Sequence, residues 1–287
     1  MTADEAPATR RGALLVLAGA LLWSTSGIGI KALPDGPLAI TFWRSAIAAV
    51  ALFLLLRPRV ARLSPSFLAA VVSYAACLAT FVAATKWTTA ANAIFLQYSG
   101  VLWVLILAPL VLKEPFRPRD AVAIAVAFAG LALFFVGELS AQGKSGNAMA
   151  LLSGALFATL VLCLRKERDA GAQAAVAWGN VLAAAAILPF ALREPLPTPR
   201  SFAILAFLGV FQIAAAYTFF VRGLATVPAA QASLIGMAEP VANPVWVFLF
   251  LGERPTHWAI AGGIIVIAAV AWRTLSTSAP APGPPPD

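Results

Sequence analysis

The residue whose type and position most clearly indicate a chemical role is Glu239, an acidic side chain inside a long apolar segment. An ionised carboxylate at the centre of a bilayer costs about 3 kcal/mol or more, so it must face water, meet a cation or carry a proton. Two functional roles fit, a proton-coupling group or a contact for a substrate amine. A structural role also fits, because the carboxylate could pair with Arg44, a basic residue inside another apolar segment, or with backbone groups at a helix end.

Two prolines follow Glu239 in the same segment. Pro240 and Pro244 have no backbone N–H, so the carbonyls of Gly236 and Pro240 lose their usual helical partners. We expect a bend here, and the freed carbonyls could bind a ligand at mid-membrane. Proline bends also occur in membrane helices without such a role.

Further polar and aromatic side chains in the apolar segments could line a cavity with Glu239. Aromatic rings beside hydroxyl and amide groups suit an amphiphilic substrate with an apolar body and a polar end. Helix packing or interhelical hydrogen bonding could also explain any one of them, so only their convergence in one cavity would indicate binding. The candidate substrate-binding residues are Trp23, Ser24, Tyr74, Thr80, Gln97, Tyr98, Trp103, Phe157, Gln212, Tyr217, Glu239 and Asn243.

The remaining motifs predict no cofactor and no metal. Cys77 and Cys163 lie in apolar segments without ligand-type spacing, which is typical of small buried apolar residues. His257 has no cysteine or acidic cluster around it. The segment 137–145 resembles a phosphate-binding loop, but its glycines are one residue too far apart and it follows no strand. ATP-driven pumping by this chain alone is therefore disfavoured.

The composition assigns the chain to the membrane proteins. Of 287 residues, 61% are apolar and 11% are charged, too few charges to cover a soluble domain of this length. The apolar residues fall in runs of about 20, the number that a helix needs to cross a hydrocarbon core of about 30 Å. We predict an all-α integral membrane protein with ten transmembrane helices, runs 1 to 10, at 12–31, 37–56, 66–85, 90–112, 120–137, 147–165, 173–192, 201–221, 229–251 and 257–273.

The basic residues lie between the runs and predict the orientation. With the N-terminus inside, 13 Lys and Arg fall on the inner side and 6 on the outer side. This asymmetry predicts an inner-membrane protein with both termini in the cytoplasm, and it accounts for the net charge of +8 without nucleic acid. We expect a disordered cytoplasmic segment at 1–11, an uncleaved first helix, and a disordered Pro-rich tail at 274–287.

The sequence repeats itself at a shift of 139 residues. Ala90-Ala-Asn-Ala aligns with Ala229-Ala-Gln-Ala, and the same register pairs Glu114 with Glu253. Two halves, 12–138 and 146–273, then hold five helices each and must enter the membrane from opposite sides. Such inverted repeats are the usual architecture of carriers that work by alternating access around a midplane site. Chance alignment of similar apolar helices is the alternative, and the matched polar residues disfavour it.

These two copies resemble the EamA repeat of the drug/metabolite transporter superfamily. Each begins with Ala-Ala-Asn/Gln-Ala and closes with Leu-x-Glu, and the Trp23-Ser-Thr stretch agrees. Length and helix number are similar to the ten-helix exporters, which include amino-acid exporters of the YddG type. The resemblance implies a cavity lined by helices 1, 3, 4, 6, 8 and 9, with helices 5 and 10 packed away from it. Arg44 of helix 2 has Gly179 as its counterpart, so the halves are not functionally equivalent.

The predicted function is a secondary transporter that exports small metabolites, with amino acids, including aromatic ones, as the favoured substrates. Its partners would be the small-molecule substrate and the lipid bilayer, and proton coupling and oligomeric state are left open. A multidrug exporter of hydrophobic cations is the main alternative. An intramembrane enzyme is disfavoured because Glu239 is the only Glu within the runs and no His lies deep inside one, and a channel because no ring of charges is present.

Overall fold

The computed structural model describes residues 5–60, 62–137, 139, 142–168, 171–251 and 256–276. Over these ranges the secondary structure is helical throughout, which confirms the all-α prediction. The helices are α1 Glu5–Trp23, α2 Ser26–Ala32, α3 Pro37–Leu56, α4 Pro65–Trp87, α5 Ala90–Gln97, α6 Ser99–Leu112, α7 Pro118–Phe134, α8 Lys144–Lys166, α9 Ala172–Ala191, α10 Pro199–Phe207, a π-helix Leu208–Ala215, α11 Ala216–Leu224, α12 Ala229–Gly236, α13 Ala238–Leu251 and α14 His257–Ser276.

The predicted runs are all helical, and some are built from two or more consecutive pieces. Runs 1, 4, 8 and 9 correspond to α1–α2, α5–α6, α10 to α11 and α12–α13. Among the described residues, eight helices are long and apolar enough to cross a membrane. The two runs outside that set are run 5, which is the 17-residue α7, and run 9.

The internal repeat is visible in the helix boundaries. Helices α5 and α6 have 8 and 14 residues, and so do α12 and α13, their counterparts at a shift of 139. The joints between them, Tyr98 and Met237, are related by the same shift. Helices α3 and α9 both have 20 residues. Both halves therefore break their fourth run at an equivalent position, although only the second copy has a proline near the joint.

Run 1 contains a break that the sequence analysis did not predict. Ser24 donates its hydroxyl proton to the Leu21 carbonyl at 2.6 Å, and Thr25 donates to the Leu22 carbonyl at 2.8 Å. Such bonds back to the preceding turn compete with the helical ladder and end α1. The counterpart helix, α8, is continuous from Lys144 to Lys166, so the two halves differ here.

Run 8 is longer than its counterpart and absorbs the extra residues in a π-helix. The run covers 26 residues from Pro199 to Leu224, whereas α4 covers 23. The π-helix brings Gly209 close to α3, where a Cβ atom on the glycine would lie 2.9 Å from the Arg44 carbonyl oxygen. Only glycine allows this approach, which places α3 and the π-helix in backbone contact.

The first helix begins earlier than expected. The disorder expected for 1–11 is wrong for residues 5–11, which form the first turns of α1. A Cβ atom on Gly12 would lie 3.0 Å from the Gly223 carbonyl oxygen, and Thr226 donates its hydroxyl proton to the Ala8 carbonyl at 3.3 Å. Packing against α11 therefore stabilises the helix before it enters the apolar run. In the tail expected to be disordered, the expectation is wrong for residues 274–276, which form the end of α14, and the rest of the tail lies outside the described residues.

Helices α7 and α14, the fifth run of each half, pack against one another through small residues. A Cβ atom on Gly130 would lie 2.9 Å from the Gly262 carbonyl oxygen, so the two backbones touch. Asp120 and Arg273 form a buried ion pair at one end of this contact. The resemblance implied only that helices 5 and 10 pack away from a central cavity, and their contact with each other is a finding of the structure.

Candidate functional site

A central cavity of about 50 Å³ lies among runs from both halves. This volume has room for a few water molecules, but it is much smaller than the roughly 300–1,000 Å³ typical of sites for drug-sized ligands. Seven predicted site residues line it, and they belong to runs 1, 4, 6, 8 and 9: Trp23, Gln97, Tyr98, Phe157, Gln212, Tyr217 and Glu239. Run 3 contributes Cys77, Leu78 and Phe81. Every run that the resemblance implied is thus represented.

The contact between the two halves at this cavity is made by Tyr98 and Glu239. The Tyr98 hydroxyl oxygen lies 2.7 Å from the Gly236 carbonyl oxygen and 2.9 Å from the Glu239 carboxylate. Pro240 frees that carbonyl, as the sequence indicated, and the tyrosine supplies the missing donor. The hydroxyl has one proton, so both contacts are hydrogen bonds only when Glu239 is protonated and donates to the tyrosine oxygen.

An aromatic wall forms one side of the cavity. The Trp23 ring is 4.9 Å from the Tyr217 ring, 4.8 Å from the Phe220 ring and 5.9 Å from the Phe157 ring, centroid to centroid. The edge-on arrangement of Trp23 with Tyr217 and Phe157 is a favourable geometry for aromatic pairs. Because the rings come from α1, α8 and α11, they join both halves and offer a surface for an apolar substrate body.

Two predicted residues take part by fixing the walls. Tyr74 is fully buried, accepts a hydrogen bond from Asn180 Nδ2 at 2.8 Å, and places its ring 4.8 Å from that of Tyr217. Gln97 donates from Nε2 to Ser153 Oγ at 2.8 Å, which ties α5 to α8. The Gln97 amide therefore lines the cavity in a fixed orientation, and Tyr74 supports the aromatic wall from behind.

Besides Tyr74, four predicted residues do not line the cavity. Ser24 accepts a hydrogen bond from Trp246 Nε1 at 2.7 Å, while Thr80 donates to the Ala76 carbonyl of its own helix at 2.8 Å. The third of them, Asn243, lies next to Gly27 in α2. Trp103 is 49% exposed on the outer face of α6.

The outward position of Trp103 follows from helix geometry. Trp103 is five positions after Tyr98 in the sequence. It therefore lies about 140° around the helix from the side that faces the cavity. For an aromatic residue within an apolar helix, this surface is the lipid side.

Arg44 is the charged cavity residue that the candidate set missed. It belongs to run 2, which the resemblance did not place at the cavity, yet it lines the cavity and is only 1% exposed. Its Nε and Nη1 atoms have no hydrogen-bond partner among the described residues. Its proposed pairing with Glu239 does not occur within ion-pair distance in the part of the chain that the structure describes. The signal that could have identified it was a lone arginine inside an apolar run.

A second charged cluster lies at the end of run 4 that the sequence places in the cytoplasm. Glu114 accepts from Arg165 Nε at 2.6 Å and from the Ala229 backbone N–H at 2.9 Å. Arg165 also donates to the carbonyls of Leu224 and Ala225, at 2.6 and 2.7 Å. One carboxylate of the first half thus joins three elements of the second half. We call Glu114 and Arg165 the latch.

At the opposite end of the molecule, lysines occupy comparable positions. Leu22-Trp-Ser-Thr of run 1 aligns with Leu156-Phe-Ala-Thr of run 6 at a shift of 134, and the same shift pairs Lys31 with Arg165. Lys31 donates to the Thr88 carbonyl at 3.2 Å, and Lys86 donates to the Leu33 carbonyl at 2.6 Å. Glu253, the predicted counterpart of Glu114, lies outside the described residues.

Known proteins share this organisation over almost the whole chain. The model of the EamA-like transporter family matches residues 10–136 and 144–275, one match in each half. An uncharacterized transporter of Archaeoglobus fulgidus is 24% identical, over 92% of this chain and 97% of its own. The uncharacterized transporter YwfM of Bacillus subtilis is 29% identical, over 89% of this chain and 93% of its own.

A solved crystal structure has the same fold. It superposes with a TM-score of 0.80 at 16% sequence identity and covers 92% of this chain and 96% of the other protein. At this identity the likeness concerns the fold alone. The family matches confirm the resemblance carried by the repeated Ala-Ala-Asn/Gln-Ala motif and by the two-half organisation. The chain is a multi-pass membrane protein and belongs to the EamA-like transporter family, within the drug/metabolite transporter superfamily.

Proposed function

We propose that this transporter is a secondary carrier that exports amino acids across the inner membrane by alternating access. The observation that carries the proposal is the cavity itself. It lies where the fourth runs of both halves break, and it is lined by runs from each half. A site between two repeats that can exchange conformations is what an alternating-access carrier needs.

The proposal includes ten crossings in two inverted halves, with both termini in the cytoplasm. Helix α7 has 17 residues and is about 25 Å long, close to the thickness of the hydrocarbon core. Run 9 consists of two helices with the same lengths as the two helices of run 4, and run 4 is long and apolar enough to cross a membrane. Five crossings in each half invert the second half relative to the first. Cysteines introduced at positions 114 and 253 should react from opposite sides of the membrane, and labelling from one side would contradict this topology.

The latch supports a state that is closed towards the cytoplasm. Glu114 and Arg165 are only 17% and 9% exposed, and they hold the two halves together at that end. The small cavity volume is consistent with a closed site that must widen before it admits a substrate. Opening at one end while the other end closes is the conformational cycle that we propose.

Amino acids match the two kinds of surface in the cavity. Tryptophan and tyrosine rings face one side, and amide and carboxylate groups of Gln212 and Glu239 face the same space. A compound with an apolar side chain and a polar end matches both surfaces, and the aromatic wall favours aromatic members of the class. Glu239 would bind the ammonium group, carry a coupling proton, or do both in turn.

Transport by purified protein in lipid vesicles tests the proposal. We expect at least one of the twenty radiolabelled L-amino acids to be taken up, and competition by a cationic dye to be weak. Glu239→Gln should reduce uptake at least tenfold, whereas Glu194→Gln, a matched change outside the cavity, should not. If a pH gradient does not alter uptake, Glu239 does not couple transport to protons. Uptake of cationic dyes without any amino acid would instead favour the multidrug alternative.

A further inference from the structure

We propose that Arg44 is the carboxylate-binding residue of the cavity, and therefore that the carried solutes bear a carboxylate group. The inference rests on the proposed function, because it names the substrate class of the same cavity. Three observations carry it: the burial of Arg44, its unpartnered guanidinium, and the distribution of donors and acceptors around the cavity.

Arg44 is held deep in the molecule. It is the eighth residue of the 20-residue α3 and is only 1% exposed. An arginine near a helix end can extend its charge to the membrane surface, but the position of Arg44 lies about 10 Å from the start of the helix. Close backbone contact between Gly209 and α3 fixes the helix at this level. The guanidinium therefore stays in the interior.

The guanidinium of Arg44 lacks the partner that other buried arginines have. Arg165 is paired with Glu114 and Arg273 with Asp120, whereas Nε and Nη1 of Arg44 have no hydrogen-bond partner within the described parts of the chain. A buried positive charge without an anion is strongly unfavourable, and arginine retains its proton in proteins. An incoming anion would satisfy it, and the cavity is the space from which the anion can reach it.

The other unpartnered groups at the cavity complement a zwitterion. Among the residues that the structure describes, Trp23 Nε1, like the two Arg44 nitrogens, is a donor without an acceptor, and Gln212 Oε1 is an acceptor without a donor. Donors of this kind suit a carboxylate, whereas Gln212 Oε1 and the Glu239 carboxylate suit an ammonium group. A hydrophobic cation would leave Arg44 unpaired and would add a second positive charge beside it. The cavity thus selects against cations as well as for carboxylates.

Calorimetric titration of the purified full-length protein tests the inference. The ligands are the twenty L-amino acids and their amides, because each amide lacks only the carboxylate charge. We expect at least one acid to bind at least tenfold more tightly than its amide. Arg44→Gln should abolish this preference by weakening the binding of the acid without weakening the binding of the cationic amide. Arg222→Gln, which removes an exposed arginine outside the cavity, should behave as the unmodified protein.

Two results would overturn the inference. One is that no acid binds more tightly than its amide, and the other is that folded Arg44→Gln keeps the preference. If Arg44→Gln does not give a monodisperse protein, Arg44→Lys replaces it. Lysine keeps the charge without the planar fork, so the preference should fall about threefold or more, and an unchanged preference would overturn the inference.

The two proposals fail separately. An acid preference that depends on Arg44, found without any amino-acid flux, supports the carboxylate site and contradicts amino-acid export. Amino-acid flux that persists in Arg44→Gln with its acid preference intact contradicts the carboxylate site and supports export.

Discussion

The latch provides a prediction whose size can be derived from the structure. Glu114→Gln keeps the shape of the side chain but removes its charge. The amide can still accept one hydrogen bond, from either Arg165 or the Ala229 N–H, so one of two charge-assisted contacts is lost and the Arg165 charge loses its anion. Breaking a buried ion pair costs about 3–5 kcal/mol. Since Arg165 keeps its two carbonyl partners, we expect the lower end of this range.

A loss of about 3 kcal/mol from the state closed to the cytoplasm would raise the open population about 100-fold. Native Cys77 reports on this opening, because it lines the cavity and is buried in the closed state. With Cys163→Ser in the background, Cys77 is the only thiol. A membrane-impermeant maleimide applied to inside-out vesicles should then modify Cys77 up to about 100-fold faster in Glu114→Gln.

The control for this experiment is Glu194→Gln, which removes a carboxylate that accepts from the Gly36 N–H at 3.3 Å away from the latch. It should leave the rate of Cys77 modification from the cytoplasmic side unchanged. The reasoning is refuted if folded Glu114→Gln reacts at the rate of the unmodified protein, or if the acceleration appears only from the opposite side.

Three further predictions concern packing and the contact between the halves. Tyr98→Phe removes the donor to the Gly236 carbonyl, at a cost of about 1–3 kcal/mol, and should lower the maximal uptake rate in vesicles at least tenfold; uptake at the normal rate would argue against this contact. Asp120→Asn leaves Arg273 without its carboxylate and should lower the free energy of unfolding in detergent by about 3–5 kcal/mol. The KM for transport should stay unchanged, because the ion pair has a purely structural role. A changed KM with normal stability would disprove that role. Gly154→Ala places a methyl group 2.6 Å from a backbone oxygen of α5. It should lower the free energy of unfolding, followed by thermal unfolding, by about 1–3 kcal/mol. An unaltered melting temperature would be inconsistent with the close packing of α8.

The features that repeat in the sequence were the ones that could be predicted. Apolar length located the helices, and the shift of 139 residues that relates the two halves also relates the joints at Tyr98 and Met237, which the sequence alone did not locate. Pro240 predicted the free carbonyl at Gly236. It did not predict that Tyr98 donates to this carbonyl, because Tyr98 belongs to the other half. A contact over 138 residues cannot be derived from local spacing.

The features that were missed depend on how each helix is rotated about its axis and on side chains that compete with the backbone for hydrogen bonds. Trp103 was placed in the cavity because its run contains other cavity residues, but a rotation of about 140° from Tyr98 turns it towards lipid. Arg44 was noted as unusual, yet its run was not among those that the resemblance implied at the cavity. The break at Ser24 arises from hydroxyl bonds to the preceding turn, which serine also forms in unbroken helices.

Counterflow is the measurement that tests the carrier most directly. Vesicles containing the purified protein are loaded with an excess of unlabelled L-amino acids and diluted into a trace of the labelled compounds. A site that opens to one side at a time exchanges internal for external solute, so the label should rise transiently above its equilibrium level and then decline. Arg44→Gln should lose this overshoot. A steady rise to equilibrium without an overshoot in the unmodified protein would contradict alternating access around the central cavity.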